Sequence, residues 1–289
     1  METGLRGEYL VIAAAVLWGT MGVAGRLAYS AGMEPAQLMV WRALLLLPLS
    51  LPILLKCRYR GIATLFGLGV VAPFYLGYFY AVKLVGASTA ALLLYTAPVY
   101  VALLSPKLLG EPLDRAALAA LLLAVLGTSA ISWGELRMEP LGLFMAMGTA
   151  LLYAAYIITT RALARKGVEP QCIGIAPVAA ALPVFALVAV LEGELTIPSL
   201  RGIAIATYIA YGPTALAYYL YARGVRRTTA LRAGVAALVE PVSAYVLAIS
   251  LLGEASPPLK TAGAVAIILA ALLVTLSPEK RALISRREP

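Results

Sequence analysis

The chain has 289 residues, 62% of them hydrophobic and only 13% charged, with a mean hydropathy of +0.91. A soluble domain carries roughly 25% charged residues, so a water-soluble globule is excluded and the expected solvent is lipid. The net charge of +9 does not argue for nucleic acid, because the basic residues lie in short clusters between apolar runs, the distribution of a polytopic membrane protein.

A spanning helix needs about 20 mostly apolar residues, and such runs, stopped at charges, Gly or Pro, predict ten spans. The first, 9–28, holds Trp18 within "LWGTMGVAG". Its glycines lack the strand–turn–helix setting of a phosphate loop and suit close helix packing or bending. A weak cleavage-like "AYS" follows at 28–30, but nine further spans predict that this segment is retained rather than removed as a signal peptide. Span two, 36–55, contains Arg42; span three, 62–82, is broken at Pro73 and places Tyr75 and Tyr78 on one face. Span four, 87–106, carries Tyr95 and Thr96 just before Pro98, and span five covers 115–134. Span six, 140–160, contains Tyr153, and span seven, 171–191, has Pro177 and Pro183. Span eight, 202–222, carries Tyr208, Tyr211 and Tyr218 around Pro213. Span nine, 229–251, holds Arg232 and then Glu240 and Pro241 within "AALVEPVSAY", and span ten, 259–277, precedes a charged tail, "PEKRALISRREP".

Connections between spans are short, so no soluble domain is expected among them. With the N-terminus inside, the cytoplasmic segments carry sixteen Lys and Arg residues against five opposite: Arg26, Lys83, Arg137, Arg201 and Lys260. Arg42 and Arg232 fall inside spans. The positive-inside rule then predicts a multi-pass protein of the cell membrane with both termini cytoplasmic.

The two halves of the chain resemble each other. An offset of 135 aligns "LWGTMGVAGRLAYSAGMEP" with "LYAAYIITTRALARKGVEP", pairing Trp18 with Tyr153, Arg26 with Arg161 and Gly32 with Gly167. An offset of 143 aligns "TAPVYVALLSPKLLGE" with "VEPVSAYVLAISLLGE", pairing Pro98 with Pro241 and Gly110-Glu111 with Gly253-Glu254. Five spans is an odd number, so the second repeat is expected to lie inverted in the membrane. The expected organisation is thus an all-α membrane domain of two repeats, 1–135 and 136–289. Inverted repeats place a substrate site near the midplane between halves, as in secondary transporters working by alternating access.

Ten spans in two fives, "LWG" in span one, "VWRALLL" in span two, "LLGE" closing span four and "EPV…LLGE" in span nine together resemble the drug/metabolite transporter superfamily, and its EamA-type members most. The likeness covers nearly the whole chain and rests on motif order rather than on any one motif. It implies export of amino acids and other small metabolites, or carriage of sugars, nucleotide-sugars or sugar phosphates. It further implies that spans 1–4 and 6–9 surround a cavity, while spans 5 and 10 lie peripherally, where a homodimer contact would form. One departure is that Glu240 has no acidic counterpart in span four, where the equivalent residue is Ala97.

An ionisable group at the bilayer centre costs at least about 2.5–3.5 kcal/mol, so Glu240 needs a partner or a wet cavity. Two roles stay open for it: engaging a cationic substrate group or a proton, or capping backbone that Pro241 leaves unpaired. Arg232, eight residues earlier, is expected about 12 Å away on roughly the same helical face, with Ala233, Ala236, Ser243 and Ala244 leaving room for a helix or ligand. Arg42 either binds a carboxylate or phosphate or serves helix packing. Tyr75, Tyr78, Tyr95 with Thr96, Tyr153 and Tyr211, with Trp18, either line the cavity or belong to interfacial belts and packing. Pro98, Pro213 and Pro241 are the expected hinges.

An enzyme is disfavoured. The chain has no His and no Asn, and its single Asp, Asp114, rules out an Asp dyad. The cysteines, Cys57 and Cys172, form no CxxC and give neither a disulfide framework nor a metal site, so no metal or cofactor is expected. Only Gln37 and Gln171 carry side-chain amides, a scarcity that points to a heat-adapted source, in part explained by lipid-facing composition. The expected function is secondary transport of a small polar or amphipathic, amino-acid-like metabolite, with export favoured and Glu240 the acid placed for proton coupling. The alternatives are transport of sugar-type or phosphorylated metabolites, and a non-transporting scaffold.

Overall fold

The computed structural model describes residues 6–134, 138–253 and 255–277. Arg137, Glu254 and the tail basics Lys280, Arg281, Arg286 and Arg287, used above for orientation and the repeat, lie outside the described residues. All regular structure among the described residues is helical, and eight helices are long and apolar enough to cross a membrane.

The first half contains α1 (Gly7–Ser30), α2 (Pro35–Lys56), α3 (Arg60–Phe66), α4 (Ala72–Leu94), α5 (Ala97–Leu109) and α6 (Arg115–Ile131). The second contains α7 (Pro140–Arg165), α8 (Pro170–Gly174), α9 (Ala176–Leu191), α10 (Leu200–Ile209), α11 (Ala217–Val225), α12 (Ala230–Ala237), α13 (Glu240–Leu252) and α14 (Pro258–Leu276). Predicted span five is the 17-residue α6. Predicted span eight is divided into α10 and α11 by a π-helical segment, Ala210–Leu216, that contains Pro213.

Several departures from regular helix recur at the offsets of the sequence repeat. A second π-helical segment, Gly67–Val71, joins α3 to α4 and begins 143 residues before the first-named one. Helix α4 gives way to α5 at Tyr95 and Thr96, just before Pro98, and α12 gives way to α13 at Leu238 and Val239, just before Pro241. Proline suits the first turn of a helix because the N–H it lacks would have no intrahelical partner there. Both α5 and α13 end on left-handed glycines, Gly110 at φ 65° and Gly253 at φ 67°, the conformation that closes a helix at least cost. Within α4, Gly86 at φ 79°, ψ 162° makes the whole turn between predicted spans three and four, in a region of backbone space essentially restricted to glycine.

Small residues set the closest helix contacts. A Cβ added to Gly127 of α6 would lie 2.6 Å from the carbonyl oxygen of Gly263 in α14, and one on Gly263 would lie 2.5 Å from that of Gly127. The two backbones therefore touch directly. A Cβ on Gly19 of α1 would lie 2.5 Å from Ser243 Cβ, so the small-residue face of α13 that includes Ser243 and Ala244 receives α1.

The cysteines depart from expectation. Cys57, which caps α2, and Cys172, in α8, are 115 residues apart in sequence but 5.9 Å apart between Cα atoms, and they form a disulfide. No short motif announces such a pair; it exists because α2 and α8 end at the same corner of the fold, packed around Leu163, Val168 and Ile173. A native disulfide is typically worth about 2–4 kcal/mol, and chain entropy alone gives about 5 kcal/mol for a loop this long. Dithiothreitol should therefore lower the melting temperature of the purified chain and leave that of a C57S/C172S variant unchanged; equal sensitivity of the two proteins would show that the bond contributes nothing.

A central cavity sealed at one end

Residues from both halves of the chain wall a cavity of about 1010 Å³. Its deep wall is aromatic: Trp18 from α1, Tyr75 and Tyr78 from α4, Tyr95 from the α4–α5 break, Tyr153 from α7 and Tyr218 from α11. Trp18 and Tyr218 sit 5.1 Å apart between ring centroids, and Phe74 and Tyr153 are 5.5 Å apart. The Tyr75 and Tyr218 hydroxyls hydrogen-bond each other across the cavity wall. The cavity continues to Arg26 and Tyr29 at the end of α1, Gly134 beyond α6 and Lys260 at the start of α14, and it opens at that end of the bundle.

Glu240 is the only acid lining the cavity among the described residues. As first residue of α13 it stands at a helix N-terminus, where the macrodipole favours a carboxylate. The hydroxyl of Tyr95, from the equivalent break in the first half, is its polar neighbour on the cavity wall. The carboxylate thus has a polar neighbour in the cavity wall and faces a space large enough for a small solute.

The opposite end of the bundle is closed by buried ion pairs. Arg161 of α7 donates from Nε to Glu111 at 2.6 Å and from Nη1 to the carbonyls of Val225 and Arg226 at 2.9 and 3.2 Å. Glu111 also accepts the Ala230 backbone N–H at 2.8 Å. Arg232 of α12 donates from Nε to Asp114 at 2.9 Å, from Nη1 to the carbonyls of Val274 and Ser277, and lies 3.7 Å from Glu8. Thr228 completes the network by donating to Glu8 at 2.6 Å. Together these groups tie α1, α7, α12 and α14 to the α5–α6 connection.

Six of the residues singled out from sequence meet at the cavity: Trp18, Tyr75, Tyr78, Tyr95, Tyr153 and Glu240, with Pro241 beside them. Arg232 does not. The expected common face with Glu240 required one continuous helix, and the α12–α13 break at Leu238 and Val239 removes it; Arg232 is 2% exposed and fully engaged at the sealed end. Thr96 donates to the Leu93 carbonyl within its own turn and stays off the cavity wall. Tyr211 is 44% exposed on the outside and donates to the Leu45 carbonyl of α2. Arg42 is wholly buried behind Tyr75, with its guanidinium carbon 3.8 Å from that ring's centroid. Pro98 packs against α12 at Gly234.

Tyr218 was grouped by spacing with Tyr208 and Tyr211, yet it alone of the three faces the cavity. The intervening π-helical segment carries an extra residue in its turn, which rotates α11 relative to α10. Phe74, Arg26, Tyr29 and Lys260 also line the cavity; their positions depend on how the helices pack, and no local motif marks them.

Comparison with known proteins fits this architecture. The model of the EamA-like transporter family matches residues 5–133 and again residues 140–276. The chain belongs to the EamA-like transporter family. It is thus a multi-pass membrane transporter and not an enzyme. An uncharacterized transporter of Archaeoglobus fulgidus is 30% identical over 93% of this chain and 95% of its own length. A protein of Streptantibioticus cattleyicolor named "Probable terminal-alkyne amino-acid exporter" is 29% identical over 71% of this chain and 68% of its own. The uncharacterized transporter YwfM of Bacillus subtilis is 27% identical over 51% of this chain, and the match spans about half of that protein, 49%. One solved crystal structure shares the fold with a TM-score of 0.81 over 93% of this chain and 98% of its own, at 22% identity.

Proposed function

We propose that the chain is a secondary transporter of ten spans, two inverted repeats of five, that exports a small amphipathic, amino-acid-like solute across the cell membrane by alternating access. The observation that carries this is the aromatic cavity with Glu240 at its depth, open at one end and sealed by ion pairs at the other. The repeated breaks before Pro98 and Pro241, and the family match in each half, support the inverted repeat. The positive-inside count supports cytoplasmic termini, with the sealed end inside and the open end outside. An aromatic wall suits the apolar part of a solute, and a partly desolvated carboxylate suits its ammonium group or a coupling proton. The relative named as an amino-acid exporter supports the solute class and the direction.

Solute counterflow in proteoliposomes tests this reading. Preloaded unlabelled amino acids should drive uptake of a labelled aromatic or aliphatic amino acid, whereas preloaded sugars and sugar phosphates should not. Exchange confined to phosphorylated solutes would replace the proposed substrate, and no exchange with any solute would remove transport itself.

A further inference from the structure

Arg42 is a cation with no hydrogen-bond acceptor among the described residues. It is 0% exposed, and none of its three guanidinium nitrogens has a hydrogen-bond partner among the described residues. A guanidinium stays charged in any protein environment and presents five N–H donors in a planar fork. Its one strong contact is the stack on Tyr75; a ring face attracts the charge but accepts none of the in-plane N–H groups. Buried charge is retained only when paired and hydrogen-bonded, so the fork is built for an acceptor that the described residues do not supply.

The position of Tyr75 says where that acceptor comes from. One face of its ring carries Arg42, its side chain lines the central cavity, and its hydroxyl is tied to Tyr218, which lines the cavity too. Tyr75 is therefore a partition one ring thick between the cavity and the cation, and the hydroxyl pair is its latch. A carboxylate matches the guanidinium fork with two parallel hydrogen bonds.

We propose that Arg42 is a second, occluded subsite of the cavity, which takes the carboxylate of a substrate when the Tyr75–Tyr218 pair separates. This rests on reading the cavity as the solute site, and it makes that site bipolar: an acid at Glu240 and a cation behind a tyrosine partition. Entry of an anion replaces the hydroxyl pair with a charge-assisted contact, so occupancy and latch opening are coupled.

Three soluble probes separate the subsites: phenethylamine (amine only), 3-phenylpropionate (carboxylate only) and L-phenylalanine (both), each read by ligand-dependent thermal stabilisation of the purified full-length chain. In Arg42→Met, affinity for phenylalanine and phenylpropionate should fall at least about tenfold while that for phenethylamine holds within about twofold. Arg42→Lys, which keeps the charge but not the fork, should lose part of the carboxylate affinity. Tyr218→Phe, which frees the latch without touching Arg42, should raise carboxylate affinity severalfold. Unchanged phenylalanine binding in both Arg42 variants overturns the proposal, as does an unchanged response in Tyr218→Phe; if Arg42→Met fails to fold, the other two variants decide. Phenylpropionate binding that depends on Arg42, with no phenethylamine binding to the native chain, would support the subsite and sink the role of Glu240. Binding of no probe to the native chain would overturn both.

Discussion

Glu240→Gln is expected to abolish transport and to weaken binding of an amine-bearing solute by roughly 10- to 150-fold, the worth of a hydrogen bond to a charged partner at about 1.5–3 kcal/mol. Gln is nearly isosteric, so it preserves the cavity wall and the contact with Tyr95 while removing the charge. The helix terminus of α13 tolerates the neutral side chain, and the fold should survive with little change in thermal stability. Tyr95→Phe removes the hydroxyl beside the carboxylate and should cause a smaller loss in the same assay. The measurement is initial uptake in proteoliposomes across a pH series, paired with affinity for phenethylamine. Native rates for Glu240→Gln at every pH would eliminate the acid from the mechanism.

The second large effect is expected at the sealed end. Arg161 and Glu111 are both buried and bonded at 2.6 Å. Removing one member leaves the other charge without its partner, at a cost of about 3–5 kcal/mol, whereas replacing both by apolar groups is far milder. Glu111→Ala and Arg161→Met should each lower the melting temperature sharply. The double variant should lose well less than the sum of the two, because neither charge is then left stranded. A double-mutant cycle on thermal unfolding checks this; strictly additive losses would mean that the pair does not act as a unit. In the same variants a cysteine placed at Thr228 should become more reactive to a water-soluble thiol reagent, since the network that buries that position is broken.

How much of this could be read in advance depends on distance along the chain. The apolar runs give the helices because lipid demands about 20 consecutive apolar residues wherever a chain crosses, a local requirement written in local sequence. The aromatic wall was partly legible too, since Trp18 and Tyr153 share a repeat position and Tyr75 and Tyr78 share a helical face. Arg232 misled because its reach is long and its partners, Asp114 and Glu8, are 118 and 224 residues away. The α12–α13 break compounded this: Pro241 signals disruption upstream, but where the helix stops depends on what packs against the freed backbone. Tyr218 and Tyr211 exchanged places for a related reason, because a π-helical turn is not visible as periodicity. The Cys57–Cys172 bond was invisible because neither residue has a neighbour that betrays the other.

That bond also has a mechanical meaning. It fastens the first half of the chain to the second at the same end of the bundle as the Arg161 and Arg232 networks, and disulfide geometry holds its Cα atoms, now 5.9 Å apart, to no more than about 6.8 Å. Ion pairs can part and re-form, but this covalent corner cannot. If the halves rock, they do so about a fulcrum at α2 and α8, and the motion grows with distance from it. The cluster of Glu8, Asp114 and Arg232 sits on α1, α12 and the α5–α6 connection, none of them a pinned helix. An opening of that end is therefore a swing on one fixed corner rather than a symmetric parting of two equal halves.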